Sequence, residues 1–390
     1  MDRIVLAYSG GLEPSIAIAW LAETFKAEVV TVTLDVGHGS ELVEIRQRAL
    51  ALGAVRAHVI DVRDEFIRDY ALPALQAGAL YGDRAPMTTA LTRPLIARKL
   101  VDVARMEGAT TVAHGCAATS DDGIRLDTLI AALDPHLRVI VPTRMWEMTR
   151  EEATTFANEH SIPPPPSFDA PYKTDANVWG RSTICSPAQD PWTEPSEEIY
   201  ALTRSARDCP AQPAYVEVEF ESGRPLRVNN IEMLPLEMIE SVETIAGLHG
   251  VGRIDLIATR LTGGQAREIY EAPAAVVLHA AHRELQQLVT PSDLEQVSHA
   301  LGRTYADLIN GGQWFSPTRT AIDAFVAAVQ PRVTGAIRLK LFKGDCRVAG
   351  RRSPYAQTEV PGGQASTPAP ASSSYAAGHG TGGGPIKLHS

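Results

Sequence analysis

The chain has 390 residues, of which 44% are hydrophobic and 21% are charged, a balance typical of globular proteins. Its formal net charge of −10 argues against a dedicated nucleic-acid binder, because such proteins need a basic surface that displaces counterions from phosphates. No apolar run approaches the roughly 20 residues that span a bilayer, and the N-terminus lacks a signal-peptide pattern. We therefore expect neither nucleic acid nor a membrane among its partners.

The four cysteines are widely separated and form no Cys-x-x-Cys pair. This spacing favours a reducing, cytoplasmic location over a disulfide or cysteine-based zinc framework. His279 and His282 are spaced to share one helix face, but no further carboxylate or cysteine pattern completes a metal site. We expect these histidines to be structural and the protein to hold no metal of its own.

The first part of the chain, residues 1–165, alternates short apolar runs with amphipathic stretches, which predicts an α/β fold with a doubly wound parallel sheet. The predicted strands are Ile4–Tyr8, Val29–Leu34, Val55–Asp61, Thr110–His114 and Arg138–Val141. The predicted helices are Ser15–Lys26, Glu41–Leu52, Leu91–Glu107, Leu126–Leu133 and Thr149–His160, the last opening with a capping-box spacing. Ligands of such sheets bind outside the carboxyl ends of the strands.

Four consecutive prolines at 163–166 end this pattern, because proline lacks the amide that a helix needs. Residues 166–355 read as a second, α+β domain. Its predicted elements are strands Tyr215–Phe220 and Arg253–Arg260, helices Pro235–Leu248 and Ala272–Leu288, and a hairpin of Ile337–Phe342 and Cys346–Ala349. Residues 356–390 are rich in Gly, Ser, Pro and Ala and are predicted to form a largely disordered tail.

The sharpest local motif is the run that joins the first predicted strand to its helix, Ala7-Tyr8-Ser9-Gly10-Gly11-Leu12-Glu13-Pro14-Ser15. Paired glycines allow a tight turn that brings backbone amides close to an anion, and the helix start adds unpaired amides and a positive dipole end. Ser9 and Ser15 can donate hydroxyl hydrogen bonds, and Pro14 suits a first helical turn. The run lacks the Gly-Lys-Ser/Thr of a Walker A motif. We predict a phosphate-binding loop here, and not merely a Gly-Gly turn.

This loop resembles the pyrophosphate loop of the N-type ATP pyrophosphatases, which cleave ATP between its α and β phosphates. Further segments resemble argininosuccinate synthases in particular, in unbroken order from residue 3 to about 355. They include Arg93-Pro94-Leu95-Ile96-Ala97, Ala113-His114-Gly115-Cys116, Asp190-Pro191-Trp192, His249-Gly250-Val251-Gly252-Arg253-Ile254-Asp255, Leu278-His279-Ala280-Ala281-His282 and Trp314-Phe315-Ser316-Pro317. The resemblance implies an ATP-dependent ligase: ATP adenylates a carbonyl oxygen of an acceptor, pyrophosphate leaves, and an amine donor such as aspartate displaces AMP. It also implies that Mg²⁺ accompanies the nucleotide phosphates.

The resemblance assigns ATP contacts to the whole loop and to two further strand ends. These residues are Ala7, Tyr8, Ser9, Gly10, Gly11, Leu12, Glu13, Pro14, Ser15, Leu34 and Gly115. Two loop positions differ from the family pattern, with Glu13 in place of Asp and Pro14 in place of Thr. Pro14 removes a hydroxyl and an amide, so ATP binding is expected with altered rates.

The amino-acid pocket implied by the resemblance differs more strongly. Amine-donor contacts fall on Thr89, Ala117, Asp121 and Asp122, and acceptor contacts fall on Ala85, Ala90, Asp121, Arg125, Lys173, Ser182, Ala258 and Tyr270. Asp122 and Arg125 are the candidate catalytic residues. Against the family pattern, Ala85 replaces Tyr, Ala90 replaces Ser, Ala117 replaces Thr, Asp121 replaces Asn, Lys173 replaces Ser and Ala258 replaces Glu.

The exchange at Ala258 removes a carboxylate expected to meet the acceptor's ammonium, and Lys173 adds a positive charge. Because a buried charge without its partner is costly, we predict a more cationic pocket and an acceptor that lacks this ammonium or carries an extra anionic group. Such an enzyme would belong to specialised metabolism.

Three alternatives to that reading remain. They are an authentic argininosuccinate synthase acting on citrulline and aspartate, a non-catalytic paralogue, and a tRNA-thiolating enzyme. Neither the paired reactive cysteines nor the basic face that a thiolating enzyme would need is evident in the sequence. By the same resemblance we expect a homo-oligomer, a tetramer or a dimer, although the clasping C-terminal helix of the family is replaced by the glycine-rich run Tyr375–Ser390.

Overall fold

Five parallel strands form the sheet of the first half of the chain in this computed structural model. Their bounds are β1 Arg3–Ala7, β2 Glu28–Asp35, β3 Arg56–Asp61, β4 Thr111–His114 and β5 Arg138–Ile140. The sheet order is β3-β2-β1-β4-β5, and β1 pairs in parallel with both β2 and β4. The winding direction therefore reverses between β1 and β4, which is the switch point where open α/β sheets bind ligands. The predicted doubly wound α/β fold is confirmed.

Eight helices pack around this sheet in the described part of the chain. They are α1 Leu12–Phe25, α2 Leu42–Ala51, α3 Arg63–Phe66, α4 Leu72–Gln76, α5 Thr88–Glu107, α6 Asp121–Leu133, α7 Pro142–Met145 and α8 Arg150–Glu159, with a π-helical turn at Ile67–Ala71. Three of them begin earlier than predicted, at Leu12, Thr88 and Asp121. In each case the first turn is polar or follows glycine, so it lacks the apolar spacing by which a helix is recognised in the sequence. At α6 the Ser120 side chain caps the helix by accepting a hydrogen bond from the Asp122 amide.

Two antiparallel sheets make up the second half. The four-stranded sheet consists of β6 Lys173–Asn177, β7 Gly180–Ile184, β11 Arg253–Thr259 and β12 Gln265–Glu271, in the order β11-β12-β7-β6. The five-stranded sheet consists of β8 Ala214–Glu221, β9 Arg224–Val228, β10 Ile231–Glu232, β13 Gly335–Phe342 and β14 Asp345–Arg352, in the order β10-β9-β8-β13-β14. The predicted strands and closing hairpin are present. Strands β6, β7, β9, β10 and β12 were not predicted.

Four helices accompany these sheets among the described residues: α9 Pro235–Leu248, α10 Pro273–Val289, α11 Ser292–Asn310 and α12 Pro317–Val329. Short 3-10 turns lie at Glu197–Ile199 and Gln330–Arg332. Buried α10 carries both histidines of the sequence motif, and the His282 imidazole Nε2 lies 2.9 Å from Gln330 Oε1. Burial lowers the pKa of His279 to about 3 and that of His282 to about 4, so both rings are neutral core side chains at physiological pH.

The structure describes residues 2–37, 42–116, 120–146, 150–160, 162–163, 172–185 and 190–356, without the side chains at 150, 151 and 173. These residues belong to one compact unit that extends to Ala356. The predicted capping box at Thr149, the predicted donor contact Ala117, the side chain of Lys173 and the predicted tail lie outside the described part. Within it, no helix is long and apolar enough to cross a membrane.

Candidate active site

The predicted phosphate loop lies at the switch point, between β1 and α1. Gly10 has a φ of +80°, and a Cβ there would lie 3.1 Å from Ile45 Cγ1, so this turn requires glycine. Helix α1 starts at Leu12 with Gly11 as its N-cap, and no side chain caps its first turn. The amides of that turn therefore remain available to an anion, except at Pro14, which has none.

The underside of the loop is fixed by buried hydroxyls. Ser15 is fully buried, and its Oγ lies 3.0 Å from Tyr8 Oη. Burial raises the pKa of Tyr8, so its phenol stays protonated. Thr33 on β2 donates to the Tyr8 carbonyl at 2.9 Å, and the predicted contact Leu34 follows it at the end of the same strand. Ser15 thus shapes the loop from beneath, whereas Ser9 and Glu13 are exposed.

Arg48 of α2 approaches the same loop and was not predicted. Its Nη1 donates to the Gly10 carbonyl at 3.4 Å. The guanidinium places a positive charge beside amides that are suited to phosphate. Its charge would complement the leaving pyrophosphate, which makes Arg48 a candidate for the nucleotide site.

The end of β4 closes the other side of the switch point. A Cβ at Gly115 would lie 3.2 Å from the Pro14 nitrogen, so the two segments are in direct contact. The preceding His114 is buried, and its Nε2 lies 3.0 Å from Asp127 Oδ1. Burial alone would lower the pKa of His114, but the hydrogen bond with Asp127 and the proximity of Cys116 outweigh it and raise the pKa to about 9. A protonated His114 therefore supports the chain beneath Gly115.

A narrow polar pocket adjoins this strand end. One face of the four-stranded sheet forms a wall of it, and the N-terminal turns of α5 and α6 complete it. The lining residues are Met87, Thr89, Ala90, Ser120, Asp121, Asp122, Arg125, Ser182, Ile184, Arg260, Glu268, Tyr270 and Asn310. Because side chains alternate along a strand, the paired residues Ser182 and Tyr270 face the pocket together. Thr89 Oγ1 lies 2.5 Å from Ser182 Oγ and joins α5 to this wall.

Most of the predicted donor and acceptor residues meet in this pocket. Thr89, Ala90, Asp121, Asp122, Arg125, Ser182 and Tyr270 line it. Ala85 and Ala258 are not among its lining residues; both are buried, and Ala85 packs in one apolar cluster with Tyr270.

The candidate catalytic pair, Asp122 and Arg125, belongs to an ion-pair network. Asp122 accepts hydrogen bonds from Arg125 Nη1 at 2.7 Å and from Arg93 Nη2 at 2.8 Å, and Arg93 also binds Asp175. Burial raises the pKa of Asp122, but the two guanidiniums lower it far more strongly, so its pKa lies well below the usual range. Asp122 is therefore ionised and too weak a base to remove a proton from an ammonium at neutral pH.

Arg125 also holds the pocket to the second half of the chain. Its Nε donates to the Asn310 carbonyl at 2.7 Å and its Nη2 to Asn310 Oδ1 at 2.6 Å. Asn310 is the last residue of α11, where a cation complements the helix dipole. Because all three guanidinium nitrogens are hydrogen-bonded, Arg125 joins α6 to α11 and also presents a positive charge to the pocket.

Asp121 is held on the opposite side. Arg260 Nε donates to Asp121 Oδ2 at 3.0 Å, and the amide and hydroxyl of Thr262 each donate to Oδ1 at 3.2 Å. The carboxylate is buried, so Asp121 does not belong to a solvent-exposed turn. Asp121 instead fastens the β11–β12 turn to the start of α6.

The charges that line the pocket differ from the sequence expectation. Among the described lining side chains, Asp121, Asp122 and Glu268 carry negative charge, whereas Arg125 and Arg260 carry positive charge. An excess of positive charge therefore does not arise among them. Glu268 was missed because the β12 strand that carries it was not predicted.

The described residues suit a nucleotide that brings its own metal. The uncapped amides at the start of α1 and the Arg48 guanidinium match phosphate oxygens. No group of three or more His, Cys, Asp or Glu suited to a metal ion occurs among the described residues. This donor set fits Mg²⁺ that is coordinated chiefly by the phosphates and water.

A doubly wound sheet with an uncapped glycine loop at its switch point, and a polar pocket beside it, is typical of a nucleotide-dependent α/β synthetase. Family models agree: the Arginosuccinate synthase N-terminal HUP domain matches residues 3–163, and the Arginosuccinate synthase C-terminal domain matches residues 172–360. The chain belongs to the argininosuccinate synthase family. It is therefore an ATP-dependent carbon–nitrogen ligase that forms AMP and pyrophosphate.

Named relatives match over nearly the full chain. Argininosuccinate synthase of Dehalococcoides mccartyi is 48% identical over 354 residues, which cover 91% of this chain and 87% of the relative. That of Synechococcus elongatus is 47% identical over 352 residues, with 90% and 88% covered. That of Bacillus thuringiensis is 44% identical over 353 residues, again with 90% and 88% covered.

Proposed function

We propose that this protein condenses citrulline with aspartate, with ATP as the activating substrate. The observation that carries the proposal is that one strand end serves both sites. Beyond β4, Gly115 contacts the phosphate loop at Pro14, and the helix that follows, α6, carries Asp121, Asp122 and Arg125 into the polar pocket. An acceptor in the pocket is thereby adjacent to a nucleotide in the loop. Relatives named argininosuccinate synthase, at 44–48% identity, support the same substrates.

The proposed reaction has two steps. The ureido oxygen of citrulline attacks the α-phosphorus of ATP, the bond to the β-phosphate oxygen breaks, and pyrophosphate leaves. The amine of aspartate, in its neutral form, then attacks the ureido carbon and AMP departs with the oxygen. Most of the rate enhancement comes from alignment of the substrates and from screening of phosphate charge.

The pocket residues have distinct roles in this proposal. Thr89 and the ionised Asp122 bind the amine donor, and Ser182 and Tyr270 position the acceptor. Arg125 supplies positive charge for substrate carboxylates while its own hydrogen bonds keep α6 in place. Because Asp122 is a weak base, it orients the amine and does not deprotonate it.

A second candidate is a ligase of specialised metabolism with an acceptor other than citrulline. What favours it is a set of small residues in and next to the pocket: Ala85 and Ala258 are buried where the resemblance expects Tyr and Glu, and Ala90 lines the pocket where it expects Ser. These exchanges enlarge the pocket and remove polar groups. They make room for an acceptor that is bulkier at its amino-acid end.

The deciding experiment measures pyrophosphate release and AMP formation with ATP, Mg²⁺ and aspartate against a panel of ureido, amide and carboxylate acceptors. We expect citrulline to have the highest kcat/KM and mass spectrometry to find argininosuccinate. A higher kcat/KM for another acceptor would replace the proposal with the second candidate. If no acceptor in the panel supports AMP formation, the chain is a non-catalytic paralogue.

A cytoplasmic location and a homo-oligomeric state, tetramer or dimer, complete the proposal. All four cysteines are described, and each is a free thiol, which fits a reducing compartment. Sedimentation equilibrium of the full chain would establish the oligomeric state.

A further inference from the structure

One carboxylate in the pocket has no ion-pair partner among the described side chains. Glu268 lines the pocket from β12 and accepts a hydrogen bond from Tyr270 Oη at 2.6 Å. Among the described residues, no lysine, arginine or histidine forms an ion pair with it. The two arginines that line the pocket form ion pairs with aspartates instead, Arg125 with Asp122 and Arg260 with Asp121.

The strand register places Glu268 beside the position of the carboxylate that the family resemblance expects. On β11, Ala258 pairs with Ala266 of β12, and Leu256 pairs with Glu268. Ala258 and Glu268 therefore lie on the same face of the sheet, on neighbouring strands and two residues out of register. Such diagonal neighbours are about 7–8 Å apart, within reach of one extended glutamate side chain. A carboxylate from either position can reach the same part of the pocket.

An unpaired carboxylate in a partly buried pocket is unfavourable until a cation joins it. Desolvation raises the pKa of Glu268 and outweighs the Tyr270 hydroxyl, which donates to the charged form, and the nearby charges of Arg125 and Arg260. A bound ammonium would remove the penalty. The tyrosine hydroxyl fixes the carboxylate, so the orientation of the ammonium is fixed as well.

We propose that Glu268 binds the α-ammonium group of the acceptor and so selects α-amino acids over acceptors without that group. This inference rests on the proposed function, because it concerns the acceptor of the same reaction. It reverses the sequence expectation of an acceptor without an ammonium, since a carboxylate on β12 replaces the one missing from β11.

The test compares two acceptors that differ only in the α-ammonium, citrulline and 5-ureidopentanoate, with the wild-type protein and Glu268→Gln. Loss of one partner of a buried ion pair costs at least about 30-fold, so kcat/KM for citrulline should fall by that factor or more. The value for 5-ureidopentanoate should stay within about threefold, because no ammonium is present to lose its partner. Glu240→Gln, at an exposed carboxylate on α9, is the matched control and should change neither value.

A relocation variant gives a second measurement. Glu268→Ala should lose the preference for citrulline, and Glu268→Ala combined with Ala258→Glu should regain most of it. An equal loss for both acceptors in Glu268→Gln would show a structural role and overturn the inference. So would an unchanged value for citrulline.

Failure of the proposed function would be seen separately. If the wild-type protein forms no AMP with either acceptor, calorimetric titration with α,β-methylene-ATP present measures binding of each compound without turnover. Tighter binding of citrulline that disappears in Glu268→Gln would support the ammonium site despite the failed reaction. Equal binding, or none, would overturn the site too.

Discussion

Substitution Gly115→Ala tests whether contact between β4 and the phosphate loop controls ATP use. The φ of Gly115 lies outside the left-handed region, so alanine is conformationally acceptable and the effect is purely steric. The added Cβ would lie 3.2 Å from the Pro14 nitrogen and 3.3 Å from its Cα and Cδ, whereas ordinary contacts begin at 3.4 Å. The loop must therefore move by a few tenths of an ångström.

The magnitude follows from that displacement. A misplacement of about 1 Å in a reacting group can cost about 100-fold, so a shift of a few tenths should lower kcat/KM for ATP by roughly threefold to tenfold. Overpacking at one contact should destabilise the fold by about 1 kcal/mol. The catalytic loss should thus exceed what partial unfolding explains.

The assay measures initial rates of pyrophosphate release against ATP concentration, together with Tm. Gly350→Ala is the matched control, because its Cβ would meet only Arg338 Cβ at an ordinary 3.7 Å. We expect the control to keep the wild-type kcat/KM. Wild-type kcat/KM for ATP in Gly115→Ala, at unchanged Tm, would refute the idea that this contact sets the loop.

Three further predictions concern the loop cation and two titrating groups. Arg48→Ala should raise KM for ATP several-fold. Arg46 lies on the same helix and donates to the Ala57 carbonyl at 3.3 Å, so Arg46→Ala should leave KM for ATP unchanged; ATP-dependent initial rates check both variants. His114 has a folded-state pKa of about 9, above its unfolded value, so its stabilisation is full below pH 6.5 and disappears as pH rises through 9. Denaturant unfolding should show the free energy of unfolding falling by about 3 kcal/mol between pH 6.5 and 9, with a slope of about 1.4 kcal/mol per pH unit. A free energy of unfolding that does not change with pH would contradict this. Burial, with help from Glu271, raises the pKa of Glu243 to about 7, so the folded state prefers the protonated form and loses stability as pH rises from 4.5 to 7. Glu243→Gln should therefore raise the free energy of unfolding at pH 8 by roughly 1–3 kcal/mol, and no gain would refute the assignment.

The sequence predicted the first sheet well because its central strands, such as β1 and β2, are buried on both faces. Such strands form short apolar runs between helices, and Ile4–Tyr8 and Val29–Leu34 lie within one or two residues of β1 and β2. Helix starts were less accurate. The first turn of α6 consists of Asp121, Asp122 and Gly123, which carry no apolar period, so only its cap identifies it.

The second half of the chain was harder to predict, so some of its site residues were missed. Strands β7 and β12 read GRSTI and QAREIYE, in which polar side chains face the pocket where an ordinary strand would have a core. Their pattern therefore resembles loop sequence. Had β12 been recognised, alternation from Tyr270 would have placed Glu268 on the same face. Arg93 was noted only as part of a motif, because its partners Asp122 and Asp175 are far away in sequence.

The bridge from Asp121 to Arg260 and Thr262 joins segments that are translated far apart. Until the turn after β11 has left the ribosome, Asp121 has neither partner, and the acceptor wall does not yet exist. The phosphate loop, by contrast, needs only β1, α1, β2, α2 and β4. During synthesis, the nascent protein can thus form its ATP-binding loop well before it forms the pocket that selects the amino acid.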